Sequence, residues 1–254
     1  MSETVNRKVI DVSHHNDPVD FAAVRGAGIV GVIHKATQGT SFVDDQYKPR
    51  AVEAVKHGLV FGAYHFGTID NVQQQVDHFL SVAGMSNEML YALDWETDQD
   101  GQTMSQLQAR AFVERLEDKI GKNRCVIYSG NIAKEYIKGK DKFWGAHRLW
   151  LAHYSSSPTC QQSWDKYWLW QYSDGVNGPG PHGCPGVNGD CDTNSFAGSD
   201  VNLRMQWSAA TPAPKPPPDV ASVEIITRGQ VRIVVNGRLV SIPDQGRGQG
   251  NADA

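Results

Sequence analysis

Short apolar runs recur at regular intervals along the first 200 residues, at 8–13, 31–37, 61–67, 90–96, 124–130, 148–154, 167–173 and 191–196. Each is six or seven residues long and bounded by polar, Gly or Pro positions, the pattern of buried strands. Helical spacing of apolar residues lies between the early runs, at 45–57, 71–83 and 104–120. The last of these places Leu107, Ala111, Leu116 and Ile120 on one face and has Gly121 as its stop. Strands alternating with helices predict an α/β fold with a parallel sheet. Eight strands in about 200 residues predict an irregular (β/α)8 TIM-like barrel with its later helices short or missing. An open doubly wound sheet is the alternative. Its nucleotide-binding version lacks support, because the first strand (KVIDVS) runs into HHNDPVD rather than a Gly-rich loop.

The pattern stops at 211–218, TPAPKPPP, where five of eight residues are proline. Such a stretch is extended and semi-rigid. The predicted organisation is a barrel over 1–210, a linker over 211–218 and a short tail over 219–254. In the tail, strands at 231–235 and 238–242 flank Asn236-Gly237, a dipeptide suited to a tight β-hairpin turn. A lone hairpin is marginal in water, so docking or self-association through it is expected. The end, GRGQGNADA, has the composition of a disordered segment.

Composition narrows the class of function. The chain is 40% hydrophobic, with 24 Lys+Arg against 28 Asp+Glu and a net charge of −4. This balance gives no electrostatic basis for binding nucleic acid or an anionic membrane. No apolar run approaches the ~20 residues of a membrane span. The N-terminus shows no Sec-type signal pattern. Four cysteines are too few for a disulfide scaffold.

In barrels of this kind, chemistry sits at the C-terminal ends of strands. Several runs end in residues that a structural strand would not select: Asp11, Tyr64-His65, Asp94-Trp95-Glu96, Tyr128, His153-Tyr154 and Gln171-Tyr172, with Asp190 and Asp192 at the eighth. LYALDWE is the most informative. Residues two apart on a strand share a face, so Asp94 and Glu96 point into one compartment and Trp95 into the other. Two close carboxylates do not both ionise readily, and one retains a proton near neutral pH. A retained proton is what a general acid needs to protonate a leaving oxygen. Capping of the following turn is the structural alternative for these acids, and a turn-forming role is the alternative for Asp11. His14, His15, His34 and His65 lack metal-ligand spacing, so no metal and no cofactor is expected. Tyr64, Tyr128, Tyr154 and the tryptophans at 164, 168 and 170 could wall a sugar groove, with ordinary packing the better reading for most of the tryptophans. Cys184 and Cys191, in CPGVNGDC, are spaced to suit a disulfide clasp, while Cys125 reads as a buried thiol and the pairing of Cys160 is open.

These residues fall into a familiar order. IDVSHHN, IHKATQGTSFVDDQY, GLVFGAYHF, ALDWE, VIYSGN, LWLAHY, WLWQYS and CDTNSFAG together resemble glycoside hydrolase family 25, lysozymes that cleave peptidoglycan between N-acetylmuramic acid and N-acetylglucosamine. The resemblance covers most of residues 8–200. It implies an irregular barrel and a glycosidase with catalytic residues Glu96 (acid/base), Asp94 (its partner), Asp11 and Asp192. Tyr64 is implied to line the sugar site, and His65, Lys35, Tyr128, Tyr154 and Gln171 complete the expected substrate-binding set. A retaining, substrate-assisted route is implied, an exception to the two-carboxylate scheme. The Gly/Pro-rich loop 174–190 departs from the family pattern and bears on subsite shape. The expected partner is the peptidoglycan glycan strand at the bacterial wall, reached by phage-type (endolysin) release or a signal-less export route. A non-catalytic glycan-binding barrel, a chitinase-like specificity and a metal-dependent hydrolase using Asp11, His14, His15 and His65 are the competing functions.

Overall fold

In this computed structural model the described residues are 4–209 and two short strands, Ile233–Val235 and Arg238–Val240. The chain forms two units, Met1–Pro214 and Lys215–Ala254. The first contains strands β1 (Arg7–Val12), β2 (Gly31–Gln38), β3 (Phe42–Val43), β4 (Val60–Phe66), β5 (Leu90–Asp94), β6 (Cys125–Ser129), β7 (Arg148–Ala152), β8 (Leu169–Ser173) and β9 (Asp192–Ser195). Eight of them close into a barrel in the order β1-β2-β4-β5-β6-β7-β8-β9, with β9 returning to β1. β3 is a two-residue extension paired with the end of β2. The expected eight barrel strands are all present.

One feature departs from a uniformly parallel barrel. β9 runs antiparallel to both β8 and β1, whereas the other barrel pairings are parallel. A parallel neighbour requires a crossover that carries the chain back to the start of the sheet. The connection 174–191 contains no helix and never makes that return. The chain therefore re-enters the barrel from the mouth, which puts the first residue of β9, Asp192, directly beside the penultimate residue of β1, Asp11.

The helices are α1 (Phe21–Gly26), α2 (Tyr47–Lys56), α3 (Val72–Ala83), α4 (Gln106–Ile120), α5 (Asn131–Tyr136), α6 (Lys142–Gly145) and α7 (Asp200–Gln206). The three expected from periodicity are α2, α3 and α4. Asn71 caps α3, and Ser105 with Gln108 forms a capping box on α4. The other four are four to seven residues long, shorter than the window in which helical periodicity registers. The expected buried face of α4 needs correction: Leu107 is 80% exposed, and the face against the barrel is Ala109, Phe112, Val113, Leu116 and Ile120. Leu107 lies nine residues before Leu116, which at about 100° per residue puts it on the opposite side.

Alternation along the strands separates two apolar layers. Val9, Ile33, Leu90, Ala92, Val126, Trp150 and Leu169 belong to the barrel interior, closed at the strand N-terminal end by Leu203 and Trp207. Ile10, Val32, Tyr91, Leu93, Trp95, Ile127 and Leu151 belong to the layer shared with the helices. Trp207 donates from Nε1 to the Phe61 carbonyl (2.8 Å). Its ring lies so close to Gly31 that a Cβ there would sit 2.5 Å from it. Among the described residues no helix is long and apolar enough to cross a membrane.

In the second unit, β10 (Ile233–Val235) and β11 (Arg238–Val240) pair antiparallel with Val235 opposite Arg238, the register of the expected hairpin. The expected linker at 211–218 and the glycine-rich end lie outside the described residues.

Candidate active site

The interior-facing residues at the barrel mouth are polar, in contrast to the layers beneath. β1 contributes Asp11, β5 Asp94 with Glu96 just beyond, β8 Gln171, and β9 Asp192 and Asn194. Asp11 is held by the protein itself. It accepts from Asn194 Nδ2 (2.7 Å) and from Gln171 Nε2 (3.0 and 3.1 Å). The orientation of both amides is fixed from behind. Gln171 Oε1 accepts from the hydroxyls of Tyr128 (2.7 Å) and Tyr154 (2.8 Å), and Asn194 Oδ1 accepts from Trp150 Nε1 (2.6 Å). With their oxygens occupied, both side chains can only donate to Asp11.

Asp94 is treated differently. Its Oδ1 is buried, and no N–H or hydroxyl of the described residues reaches it. Its carboxyl is in hydrogen-bond contact with that of Glu96, the same-face placement expected of an Asp-x-Glu strand end. Trp95 points the other way, stacks on Trp144 and donates from Nε1 to the Met104 carbonyl (2.7 Å). Lys35, on β2, carries the opposing charge that acts on Asp94. Its ammonium lies over the rings of Phe42 and Phe66 and donates to Gln38 Oε1 (2.6 Å).

Crowding four acids into this space raises their pKa values. Burial, then the charge of Glu96, holds Asp94 well above the usual carboxylate range, with Lys35 opposing. Burial and the charge of Asp11 push Glu96 up to about 7. Burial likewise lifts Asp11 to about 6 against its Asn194 and Gln171 bonds. Asp192 is raised well above its ordinary value by burial and by Asp11, to whose carboxyl it hydrogen-bonds. At neutral pH the Asp94–Glu96 pair therefore retains a proton, and Asp11 is the anion that the two amides stabilise.

These shifts make stability depend on pH. In the unfolded chain the four carboxyls ionise near pH 4, whereas the folded protein keeps protons on them to pH 6–7 and above. The native state then binds more protons, so stability falls as pH rises through this window. Burial lowers His34 to about 4 and His65 to about 3, which pulls the other way only below pH ~6.5, where the unfolded histidines become charged. Tm should therefore fall between pH 6.5 and 8. Asp192→Asn keeps a donor for Asp11 and removes one acid. It is expected to raise Tm at pH 8 by about 2–4 °C, the response of a chain this size to ~1 kcal/mol, and to flatten the slope. Calorimetry across pH 6.5–8 checks both; a Tm independent of pH would contradict the raised values.

The sequence-derived site residues fall into three groups. Asp11, Asp94, Glu96 and Asp192 converge at the mouth, and Tyr64, Lys35 and Tyr154 reach it from the sides. Tyr128 and Gln171 lie beneath: Gln171 is 1% exposed and its polar atoms are spent on Asp11 and two tyrosines, so it positions Asp11 rather than meeting substrate. His65 does not belong to the site. It points outward from β4, fully buried, stacked on Phe112 and bonded to Thr37 Oγ1 (2.8 Å) and Gln75 Oε1 (3.1 Å). Strand alternation gives the reason, since Tyr64 faces inward and its neighbour must face out.

The expected Cys184–Cys191 clasp is also corrected. Both thiols are free, each turned to a backbone carbonyl, of Pro185 (3.4 Å) and Asp192 (3.6 Å). Backbone-directed bonds fix the loop instead, from Arg7 Nη1 to the Gly183 carbonyl (2.6 Å) and from Asn16 Nδ2 to the Asp190 carbonyl (2.8 Å). Cys125 is a buried thiol, as read. His14 is bonded to Asp44 (2.9 Å), and the His15 ring packs against the His14 ring at a 40° tilt. Among the described residues no group of three or more His, Cys, Asp or Glu side chains is arranged to hold a metal ion. Asn194 and Phe42 join the site without a sequence signal of their own. Asn194 lies in CDTNSF beside Asp192, and Phe42, 41% exposed at the rim, sits on a strand too short to carry a pattern.

A closed barrel whose mouth gathers four carboxyls, two of them sharing protons on one strand end, defines a glycoside hydrolase. Residues 10–181 match glycosyl hydrolases family 25, and the chain belongs to that family. It is 30% identical over 216 residues to Lysozyme M1 of Streptomyces globisporus, covering 80% of this chain and 71% of that protein. To the autolytic lysozyme of Clostridium acetobutylicum it is 31% identical over 196 residues, 75% of this chain and 56% of that protein. The structure superposes on a family GH25 lysozyme from Aspergillus fumigatus with a TM-score of 0.68 at 29% identity, covering 81% of this chain and all of that one.

Proposed function

We propose that this chain is a lysozyme that hydrolyses the β-1,4 bond between N-acetylmuramic acid and N-acetylglucosamine in peptidoglycan, acting at the bacterial cell wall. The proton-retaining Asp94–Glu96 pair at the barrel mouth carries the reading. Glu96, half-buried at the rim, protonates the glycosidic oxygen and afterwards activates water. The names of the relatives, lysozymes of bacteria and a fungus, support the substrate class.

Asp94 acts as an orienter of the substrate rather than as a nucleophile. In the two-carboxylate schemes the acids flank the anomeric carbon about 5–5.5 Å apart for retention, or ~6.5–9.5 Å for inversion. Two carboxyls in hydrogen-bond contact leave no room for a sugar between them. Among the described residues no N–H reaches Asp94 Oδ1, which leaves it to accept the N–H of the substrate's N-acetyl group and aim the acetyl oxygen at the anomeric carbon. Asp11, across the mouth, stabilises the developing positive charge. The C-terminal hairpin serves self-association.

Muropeptide analysis of digested peptidoglycan is expected to show new reducing ends on N-acetylmuramic acid, with the β-anomer formed first by NMR. New reducing ends on N-acetylglucosamine would overturn the specificity, and initial α-anomer would overturn the substrate-assisted route.

A further inference from the structure

Beside Glu96, between the ends of β6 and β7, lies a cavity of about 340 Å³ lined by Glu96, Thr97, Asn131, Ile132, His153 and Tyr154. Apart from Glu96 these groups are neutral, a mixture of short polar side chains and apolar surface that suits a saccharide ring better than a charged peptide. His153 is held in one tautomer. Its Nδ1 accepts the backbone N–H of Thr159 (3.0 Å), so the ring proton resides on Nε2. Its backbone is fixed on both sides, the N–H donating to the Gln171 carbonyl (3.1 Å) and the carbonyl accepting from Trp170 Nε1 (2.7 Å). Burial, and the charge of Lys134, lower its pKa and keep the ring neutral. No bond from Nε2 to another described residue is present, which leaves an unspent donor on a residue that lines the same cavity as Glu96.

We propose that His153 is a specificity residue for the leaving sugar: its Nε2–H donates to an acceptor oxygen of the N-acetylhexosamine that occupies this cavity on the leaving-group side of Glu96. The inference rests on the muramidase reading above. A sugar seated there presents its glycosidic oxygen to Glu96, and the histidine bond fixes the angle at which it does so. Asn131, exposed on the β6 side of the cavity, is the second polar contact.

Two substitutions separate this role from a structural one. Asparagine reproduces the Nδ1 acceptor and preserves the Thr159 bond but does not reach the cavity; glutamine reaches it with an amide N–H at the Nε2 position. kcat/KM is measured on purified peptidoglycan and on an aryl β-glycoside of the same aminosugars, whose phenol leaving group carries no sugar into the cavity. His153→Asn is expected to lose about tenfold more on peptidoglycan than on the aryl glycoside, the effect of one lost hydrogen bond, and His153→Gln to recover most of that difference. Asn131→Ala, which leaves the histidine untouched, should show the same polymer-selective loss and serves if His153→Asn does not fold. Equal losses on both substrates, or full polymer activity in His153→Asn, would overturn the proposal. Wild-type protein inactive on peptidoglycan would instead overturn the muramidase reading itself.

Discussion

Glu96→Gln is expected to lower turnover of purified peptidoglycan by about 10³-fold, within the range that removal of a general acid–base group costs. Glutamine matches the shape of the protonated acid but has no proton to transfer, so binding of glycan strands should survive while turnover does not. The fold should survive too. Glu96 is one of four acids whose ionisation opposes folding at neutral pH, and its removal relieves the others. Circular dichroism and a Tm equal to or above that of the wild type, measured alongside reducing-sugar release, distinguish loss of chemistry from loss of structure. Activity within tenfold of wild type would assign the proton to another group. In the wild type the same proton predicts a fall in kcat above about pH 7, where Glu96 ionises.

The largest effect on stability is expected at the opposite end of the barrel. Trp207 is 1% exposed, fills the space above Gly31 and donates to the Phe61 carbonyl, while its own carbonyl accepts from Arg148 (3.1 Å). Trp207→Ala leaves a cavity and an unpaired carbonyl in the interior. It should cost about 3–5 kcal/mol, the range for truncating a buried tryptophan. For a chain of this length that is a fall in Tm on the order of 10 °C. Because the strand N-terminal face carries stability and not chemistry, kcat at 25 °C should stay within about twofold of wild type. Thermal unfolding monitored by calorimetry, with activity assayed well below the transition, checks both; a loss under about 1 kcal/mol would mean that the plug is not closed by this residue.

Trp207 illustrates a limit of sequence reading. α7 spans seven residues, too few for a periodic pattern, and the value of the tryptophan that follows it as C-cap depends on Gly31, far away along the chain. α4 shows a related limit, since its existence was plain from spacing while its buried face was misplaced by Leu107, an apolar residue on the solvent side. Single apolar residues are tolerated at surfaces, so spacing alone does not say which stripe faces the barrel. His65 fails for a simpler reason. Tyr64-His65 ends a strand, and only one of two adjacent residues can face the mouth.

What the sequence determined by itself was local and periodic: eight apolar runs of strand length, three long helices, and the Asp-x-Glu strand end whose pleat places Asp94 and Glu96 on one face. Its ordered motifs also pointed to the family. The tertiary structure alone decided the direction of β9 and what followed from it. Because that strand re-enters from the mouth, Asp192 and Asn194 meet Asp11 from more than 180 residues away, and Gln171 with two tyrosines completes the support. Proton sharing among these acids depends on burial and on distances between strands. Those are properties of the closed barrel, and no spacing along the chain encodes them.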